Sequence, residues 1–148
     1  MIVKLKKIND NAKVPTRGSE YAAGYDLHAY IPGGDSCLIR PHTTSKISTG
    51  ICAEIPDGYF GAIFARSGLA TKQGLRPANC VGVIDSDYRG EIVVALHNDS
   101  DIHRLISNGD RVAQLVIMPY INVEFECVDE LSDTVRGDGG FGSTGINT

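Results

Sequence analysis

The chain has 148 residues, which fits one ordinary domain and leaves little room for a second. Its hydrophobic content of 42% and charged content of 22% exclude a disordered or fibrous protein. A formal net charge of −4, without a basic stripe or tail, argues against binding to nucleic acid or to an anionic membrane. Because the N-terminal residues lack a signal-peptide pattern and no membrane-length apolar run occurs, we expect a cytoplasmic protein or one in an equivalent intracellular compartment.

The pattern of apolar residues predicts an all-β protein, because most apolar stretches are short and rich in β-branched or aromatic residues. Turn-forming residues separate these stretches, as in a sandwich, jelly roll or barrel. One short helical turn is predicted at Ser67–Gln73, with Ser67 as its cap and Gly74 as its end. In chain order, the predicted strands are residues 2–8, 45–55, 59–65, 81–84, 91–97, 112–118 and 121–128.

The four cysteines are too scattered to indicate a metal site. No Cys-x-x-Cys pair occurs, and no histidine stands near them at metal-ligand spacing. An even number permits disulfides in principle, but nothing else in the sequence indicates an oxidising compartment. We therefore predict buried free thiols at Cys37, Cys52, Cys80 and Cys127.

The densest polar cluster in the body of the chain spans residues 82–90, which read GVIDSDYRG. Turn propensity alone explains an Asp-Ser-Asp run at this point. In the functional interpretation, Asp85 is held at the end of an apolar strand, rigidly enough to orient a water as a general base. Tyr88 adds an aromatic face nearby. The residues themselves leave both interpretations open.

Phosphate contacts are expected from four of the eight arginines, which lie within two residues of a glycine in segments that also carry Ser, Asp or Gln; they are Arg66, Arg89, Arg111 and Arg136. Arg66 and Ser67 stand where a strand ends and a helical turn begins, and the free amides of a helix start attract phosphate. Asp26 supplies a further carboxylate. Because Mg²⁺ prefers oxygen ligands and often keeps its waters beside a triphosphate, Asp26 could hold one of those waters.

The C-terminal tail, residues 132–148, departs from the body in composition and contains the glycine-dense stretch RGDGGFGSTG. Such a backbone can approach a ligand closely, but ordering it costs conformational entropy. The tail is therefore either a frayed terminus or an arm that groups outside it must order. The side chains that favour an arm, because they suit phosphate oxygens and a base, are Arg136, Phe141, Ser143 and Thr144.

The same tail contains a G-x-G-x-x-G pattern from Gly137 to Gly142, which is typical of dinucleotide-binding folds. That interpretation fails, because the pattern needs a strand before it and a helix after it, and only six residues follow. No Walker-type phosphate loop occurs elsewhere in the sequence. We expect residues 1–131 to form the β body and residues 132–148 to form a mobile arm of the same single domain.

Five segments in order resemble the signature motifs of trimeric deoxyuridine triphosphatases. They are AGYDL (residues 23–27), RSGLA (66–70), GVIDSDYRG (82–90), GDRVAQL (109–115) and RGDGGFGSTG (136–145). The resemblance implies a distorted jelly-roll-like β-barrel with one short helical turn and a flexible glycine-rich arm. It also implies a homotrimer that uses Mg²⁺ to hydrolyse dUTP to dUMP and pyrophosphate, limiting uracil incorporation into DNA and supplying dUMP for thymidylate synthesis.

The resemblance also implies residue roles. The position matching Asp85 activates the water that attacks the α-phosphorus, and the position matching Tyr88 packs on the deoxyribose. Asp26, with help from Gln114, would hold the metal through water, while the triphosphate is its main ligand. In such trimers one site takes its hairpin from one chain, its phosphate-binding motifs from a second and its closing arm from a third. The implied substrate-binding residues are Arg66, Ser67, Gly68, Asn79, Val83, Ile84, Asp85, Tyr88, Val93, Gln114, Arg136, Phe141, Gly142, Ser143 and Thr144.

Two other enzyme classes and one non-enzyme class are alternatives to this function. A dCTP deaminase shares the fold, but it is expected to carry Arg-Ser-Ser where this chain has Arg66-Ser67-Gly68, together with a glutamate for deamination. A zinc-dependent deaminase is excluded because its H-x-E and P-C-x-x-C patterns are absent. A catalytically silent nucleotide-binding module is disfavoured because Asp85 and Tyr88 occur together with the arm residues.

Overall fold

A computed structural model of the chain describes residues 1–140, and eleven strands and one helix lie within that range. The elements are β1 (Lys4–Lys7), β2 (Thr16–Arg17), β3 (Tyr25–His28), β4 (Ser36–Ile39), β5 (Thr44–Glu54), β6 (Tyr59–Phe64), α1 (Ser67–Gln73), β7 (Leu75–Pro77), β8 (Gly82–Ile84), β9 (Glu91–Asn98), β10 (Arg104–Ser107) and β11 (Arg111–Pro119). No helix in this part of the chain is long and apolar enough to cross a membrane.

The strands pair in three antiparallel sheets. A four-stranded sheet has the order β1-β5-β9-β7, and a five-stranded sheet has the order β2-β3-β11-β6-β8. Strands β10 and β4 form a separate two-stranded sheet. The predicted all-β, jelly-roll-like fold is confirmed, although the strands within residues 1–140 form open sheets and do not close into a barrel.

One hydrophobic core joins these sheets. In β9, Ile92, Val94 and Leu96 are buried whereas Val93 is exposed, because successive side chains of a strand point to opposite faces. Leu27 of β3 and Leu115 of β11 bring the five-stranded sheet into the same cluster. The sheets therefore pack through a shared interior, and the outward residues of β9 are left to line the surface.

The short helix α1 begins and ends close to the predicted positions, but its cap differs from the prediction. The N-cap is Arg66, with extended φ −81 and ψ 127 and no side-chain cap bond, so the expectation that Ser67 caps the helix is wrong. Ser67 is instead the first helical residue, and its carbonyl accepts a hydrogen bond from the Thr71 hydroxyl at 2.7 Å. Gly74 ends the helix at φ 66, a left-handed conformation that glycine adopts without steric cost.

At the edge of the four-stranded sheet, β1 pairs with β5 and places Lys4 opposite Glu54. The Lys4 Nζ donates to Glu54 Oε1 at 2.8 Å. This hydrogen bond and the ammonium charge lower the pKa of the Glu54 carboxyl below its usual value. Because both side chains are largely exposed, the pair contributes little to the stability of the fold.

The strand predicted at residues 121–128 is wrong. All of these residues are exposed, and no strand within residues 1–140 pairs with them. Ile121 is 85% exposed and Phe125 is 94% exposed, so the apolar residues behind the prediction have no sheet of their own chain to cover. The sequence also failed to reveal β2, β3, β4, β7 and β10, because strands of two to four residues carry too little periodicity.

The four cysteines are free, as predicted, but none of them is buried. Cys37 and Cys52 are half-buried, whereas Cys80 and Cys127 are exposed. Cys80 lies in a tight loop and Cys127 in the exposed segment after β11, so neither side chain has a core to enter.

Candidate active site

The first group of predicted site residues lies on β8 and in the turn after it. Strand β8 pairs with β6, with Val83 opposite Ala62 and Ile84 opposite Gly61, and it has no second strand beside it within residues 1–140. An edge strand presents unpaired N–H and C=O groups on its open side. The backbone of residues 83–85 is therefore available to pair with the polar edge of a ligand.

The loop that leads into β8 is tightly folded. The Asn79 carbonyl accepts the Val81 N–H at 2.7 Å, and the intervening Cys80 has φ 62, which is uncommon for a residue other than glycine. A Cβ added at Gly82 would lie 3.5 Å from Asn79 Nδ2. This turn therefore holds the Asn79 amide against the start of the edge strand.

Asp85 is exposed at the end of β8 and borders two depressions. One is a cavity of about 260 Å³ lined by Val83, Ile84, Asp85, Tyr88, Glu91 and Val93. The other is a wider depression of about 570 Å³ lined by Phe60, Val83, Asp85, Ser86, Asp87 and Tyr120. A carboxylate on a fixed strand end, next to a partly apolar cavity, is well placed to take a proton from a water at the cavity mouth.

Tyr88 folds back over Gly90 on one wall of the smaller cavity. Its hydroxyl donates to the Glu91 carbonyl at 3.0 Å. A Cβ at Gly90 would lie 2.6 Å from the ring Cζ, so a side chain there would displace the ring. Arg89, in contrast, donates to the Ser86 carbonyl at 2.6 Å. Nη1 of Arg89 thus stabilises its own turn, and the phosphate contact expected of this residue stays a prediction.

Glu91 is a cavity residue that the sequence reasoning did not identify. It directly follows the motif that contains Asp85 and Tyr88, and it begins a predicted strand. A carboxylate at the start of an amphipathic strand is ordinary in a soluble protein, so no local pattern distinguishes it. What distinguishes Glu91 is its hydrogen bonding across the sheet, which only the structure reveals.

The second group of predicted residues is centred on the Asp26 carboxylate, which is 2% exposed. Arg66 Nε donates to Asp26 Oδ1 at 2.9 Å, and Arg111 Nη1 donates to Oδ2 at 3.2 Å. Gln114, opposite Asp26 in the β3–β11 pair, brings its Nε2 to 3.5 Å from Oδ1. Because a buried charge must be paired, Asp26 and the two guanidinium groups fix one another.

Ser67 and Gly68 open α1 immediately after Arg66, and both are exposed. Their backbone N–H groups belong to the first helical turn, which has no intrahelical acceptors for them. With two arginines and one aspartate, the neighbouring cluster carries a surplus positive charge. A local surplus of positive charge favours an anion over a cation as the ligand at this end of the five-stranded sheet.

The two groups of residues occupy different parts of the five-stranded sheet. In the strand registers, Asp26 and Gln114 lie at the level of Phe64, whereas Ile84 lies at the level of Gly61. Three residues correspond to about 10 Å along the strands, and the three strand spacings from β3 to β8 correspond to about 14 Å across them. Within one chain the Asp85 hairpin therefore lies apart from the Asp26 carboxylate, to which Arg66 is bound.

The described part of the tail forms a local turn. Arg136 Nε donates to the Gly139 carbonyl at 2.8 Å, and the Gly137 N–H donates to the Thr134 hydroxyl at 3.0 Å. Arg136 is exposed. The remaining arm residues predicted to bind substrate lie outside the described residues; they are Phe141, Gly142, Ser143 and Thr144.

A metal cage made only of protein side chains is not present within residues 1–140, where no three His, Cys, Asp or Glu side chains come together. Asp26 already accepts from Arg66, Arg111 and Gln114. Because a carboxylate has about four acceptor sites, it retains capacity for a water. These residues fit a hydrated Mg²⁺ that takes its other ligands from a triphosphate.

The fold and these two groups of residues define a β-sheet protein that can bind an extended anion and present a carboxylate at an edge-strand cavity. Comparison with known proteins narrows that class. A family model described as dUTPase matches residues 10–145. The deoxyuridine 5'-triphosphate nucleotidohydrolase of Hydrogenobaculum sp. (strain Y04AAS1) is 46% identical over 146 residues, which cover 99% of both chains.

Solved structures agree with the sequence comparison. A dUTPase variant from Staphylococcus bacteriophage 80alpha, in complex with dUpNHpp, matches with a TM-score of 0.87 and 28% identity, covering 98% of this chain and 99% of that chain. A dUTPase mutant from phage phi11 of S. aureus, whose description concerns the coordination of a structural Mg(II) ion, matches with a TM-score of 0.79 and 25% identity, covering 90% of this chain and 100% of that chain. The chain belongs to the dUTPase family, and the predicted hydrolase class is confirmed with it.

Proposed function

We propose that this chain hydrolyses dUTP to dUMP and pyrophosphate with Asp85 as the general base. The observation that carries the proposal is the edge-strand hairpin, where an exposed Asp85 and the ring of Tyr88 line one cavity. Membership of the dUTPase family and the dUTP analogue in the phage 80alpha structure support the same substrate. The proposal thus joins a carboxylate suited to activating water with a pocket suited to a deoxynucleoside.

Recognition of uracil rests on the backbone of the hairpin. Residues 83–85 supply strand N–H and C=O groups, and Asn79 adds a side-chain amide at the start of the strand. A rigid set of donors and acceptors matches uracil and leaves the reversed pattern of cytosine unsatisfied, which is costly in a closed site. Val83 and Val93 add exposed apolar surface for the base.

Discrimination against ribose is assigned to Tyr88. Its ring is held between the hydrogen bond to the Glu91 carbonyl and close packing over Gly90. A fixed aromatic ring against the sugar leaves no space for a 2′-hydroxyl. The enzyme should therefore prefer dUTP to UTP.

The chemical step begins when Asp85 accepts a proton from a water beside the α-phosphate. The water oxygen forms a bond to the α-phosphorus while the bond from phosphorus to the bridging oxygen breaks. The electron pair leaves with pyrophosphate, and solvent later removes the proton from Asp85. Mg²⁺, when bound, would neutralise charge on the triphosphate oxygens.

Phosphate binding is assigned to the cationic cluster and the helix start. Arg66 donates with Nε to Asp26 and with Nη1 to the Arg111 carbonyl at 3.2 Å, so its Nη2 would contact phosphate. Ser67 and Gly68 would donate from the first turn of α1. Gln114 and Asp26 would hold metal-bound water. Arg136 would reach the γ-phosphate, and Phe141, Gly142, Ser143 and Thr144 would cover the base and the phosphates.

The assembly is proposed to be a homotrimer with shared sites. The separation of the Asp85 hairpin from the Arg66 cluster within one chain supports this proposal, because one nucleotide must contact both. The exposed apolar residues at 121–135 support it as well, since Phe125 and Leu131 are left uncovered by their own chain. In this assembly residues 1–131 form the body, and residues 132–148 act as an arm that closes over a neighbouring site.

The cellular role proposed is to limit uracil incorporation into DNA and to supply dUMP for thymidylate synthesis. This role follows from the reaction, which consumes dUTP and yields dUMP. The cytoplasm, or an equivalent intracellular compartment, is the proposed location. The four free cysteines support it, because reducing conditions keep thiols unpaired.

Pyrophosphate release from dUTP, dCTP, dTTP and UTP tests the proposed function. We expect kcat/KM for dUTP to exceed the other values by roughly a hundredfold or more, because mismatched polar groups in a closed site are left unsatisfied. Removal of Mg²⁺ with a chelator should abolish most of the activity. Equal rates with all four nucleotides would contradict the proposal.

A further inference from the structure

Glu91 lines the smaller cavity, but its carboxylate makes hydrogen bonds to the neighbouring strand β5. Its Oε1 accepts the Gly50 N–H at 2.7 Å, and its Oε2 lies 3.4 Å from the Ser48 hydroxyl, which donates to it. Both partners belong to β5, which runs beside β9. Glu91 therefore ties the start of β9 to its neighbour through a side chain.

The tie lies at an irregularity in the sheet. In the β5–β9 pair, Ser48 is opposite Val93 and Cys52 is opposite Glu91, so β5 carries two more residues than β9 across this step. Gly50, within the bulge, has φ 70, and its N–H points to Glu91 in place of a strand carbonyl. The Glu91 carboxylate thus accepts the Gly50 N–H, which a strand carbonyl would accept in a sheet without the bulge.

The same residue anchors Tyr88 through its backbone. The Tyr88 hydroxyl donates to the Glu91 carbonyl, and the ring packs over Gly90, the residue just before Glu91. The position of this carbonyl depends on how firmly the start of β9 is held. Because the Glu91 side chain holds that point to the bulge, it also sets where the Tyr88 ring stands.

We propose that Glu91 is a positioning residue for substrate specificity: by clamping the β5 bulge, it fixes Tyr88 in the orientation that excludes a 2′-hydroxyl. The inference rests on the proposed function, since it concerns the sugar contact of that site. Glu91 does not touch the reacting atoms. Its removal should relax the choice between deoxyribose and ribose more than it slows the chemical step.

The test compares kcat/KM for dUTP and UTP in Glu91→Ala, Glu91→Gln and Tyr88→Phe. We expect Glu91→Ala to lower the dUTP-to-UTP ratio by roughly three- to tenfold, the scale of one lost hydrogen bond. Glu91→Gln keeps an oxygen for the Gly50 N–H and should restore the wild-type ratio. Tyr88→Phe, which removes the anchored hydroxyl, should match Glu91→Ala, and the double variant should add little to either one.

Asp101→Ala is the matched control, because it removes a carboxylate that pairs with His42, just before Thr44, at the end of the β5–β9 pair opposite to Glu91. Its ratio should equal that of the wild type. If Glu91→Ala does not fold, Glu91→Asp replaces it, since the shorter side chain cannot hold both Gly50 and the strand position. A folded Glu91 variant with lowered Tm and an unchanged ratio would overturn the inference. A wild-type enzyme without preference for dUTP would instead overturn the proposed function.

Discussion

The hairpin at Asp85 and the cluster at Asp26 each hold a carboxylate in position, but they do so by different interactions. Asp85 is exposed on an edge strand, and its position comes from backbone pairing with β6 and from the turn that follows. Asp26 is buried, and its position comes from two guanidinium groups and an amide. A carboxylate held by backbone stays free for chemistry, whereas one held by charges is occupied in organising its neighbours.

Because of this difference, mutation of the two carboxylates should affect different properties, namely turnover and folding. Loss of the Asp85 carboxylate leaves a surface strand intact, so it should affect turnover and not folding. Loss of the Asp26 carboxylate leaves buried positive charge without a partner, so it should affect folding first. The predictions below follow that division, from the largest expected effect to the smallest.

Asp85→Asn should lower kcat by roughly 10²- to 10⁴-fold, the usual range for loss of a general base. Nucleotide binding should change little, because asparagine keeps the shape of the side chain. Single-turnover hydrolysis and a binding titration with a non-hydrolysable dUTP analogue measure the two quantities. If nucleotide binding fell as much as turnover, Asp85 would have a structural role and not a catalytic one.

Asp26→Ala should lower the free energy of unfolding by about 3 kcal/mol, the low end for a broken buried ion pair. The low end applies because the Arg111 side chain is 52% exposed and water screens part of its charge. Urea denaturation measures the change. Asp101→Ala is the control, since the Asp101 side chain is 95% exposed beside His42 and its removal should be almost neutral. Equal stability of the two variants would show that the cluster does not hold the fold.

Deletion of residues 136–148 should reduce kcat/KM by roughly ten- to a hundredfold, because a charge-assisted phosphate contact is lost. The melting temperature should stay within the error of the wild-type value, since the described arm residues are almost entirely exposed. Calorimetry and steady-state kinetics on the same preparation give both numbers. A large fall in melting temperature would show that the arm is part of the folded body, and it would contradict the proposed division into a body (residues 1–131) and an arm (132–148).

How much the sequence could predict differs between the two regions. The strand at Val83 and the turn at Asp85 follow from local alternation and turn chemistry, so the sequence predicts this strand to within one residue. The sequence also singled out Arg66 and Arg111, but not that Asp26 binds both. These partners are 40 and 85 residues apart, and only strand pairing brings them together.

The errors have the same origin. Residues 121–128 have the alternation of a strand, but no strand within residues 1–140 pairs with them. Glu91 carries no local signal, because its partner Gly50 lies across a bulge in another strand. Local patterns therefore predict what a segment can form, whereas long-range pairing decides what it does form.

The central claim is that one active site takes Asp85 and Arg66 from different chains, and subunit mixing tests it most directly. Asp85→Asn and Arg66→Gln are each expected to be nearly inactive, and the glutamine can still donate to Asp26. After subunit exchange at equal amounts, random trimers should contain both intact groups at about a quarter of their sites, and activity should recover accordingly. Confirmed exchange of subunits without any recovery of activity would contradict the account.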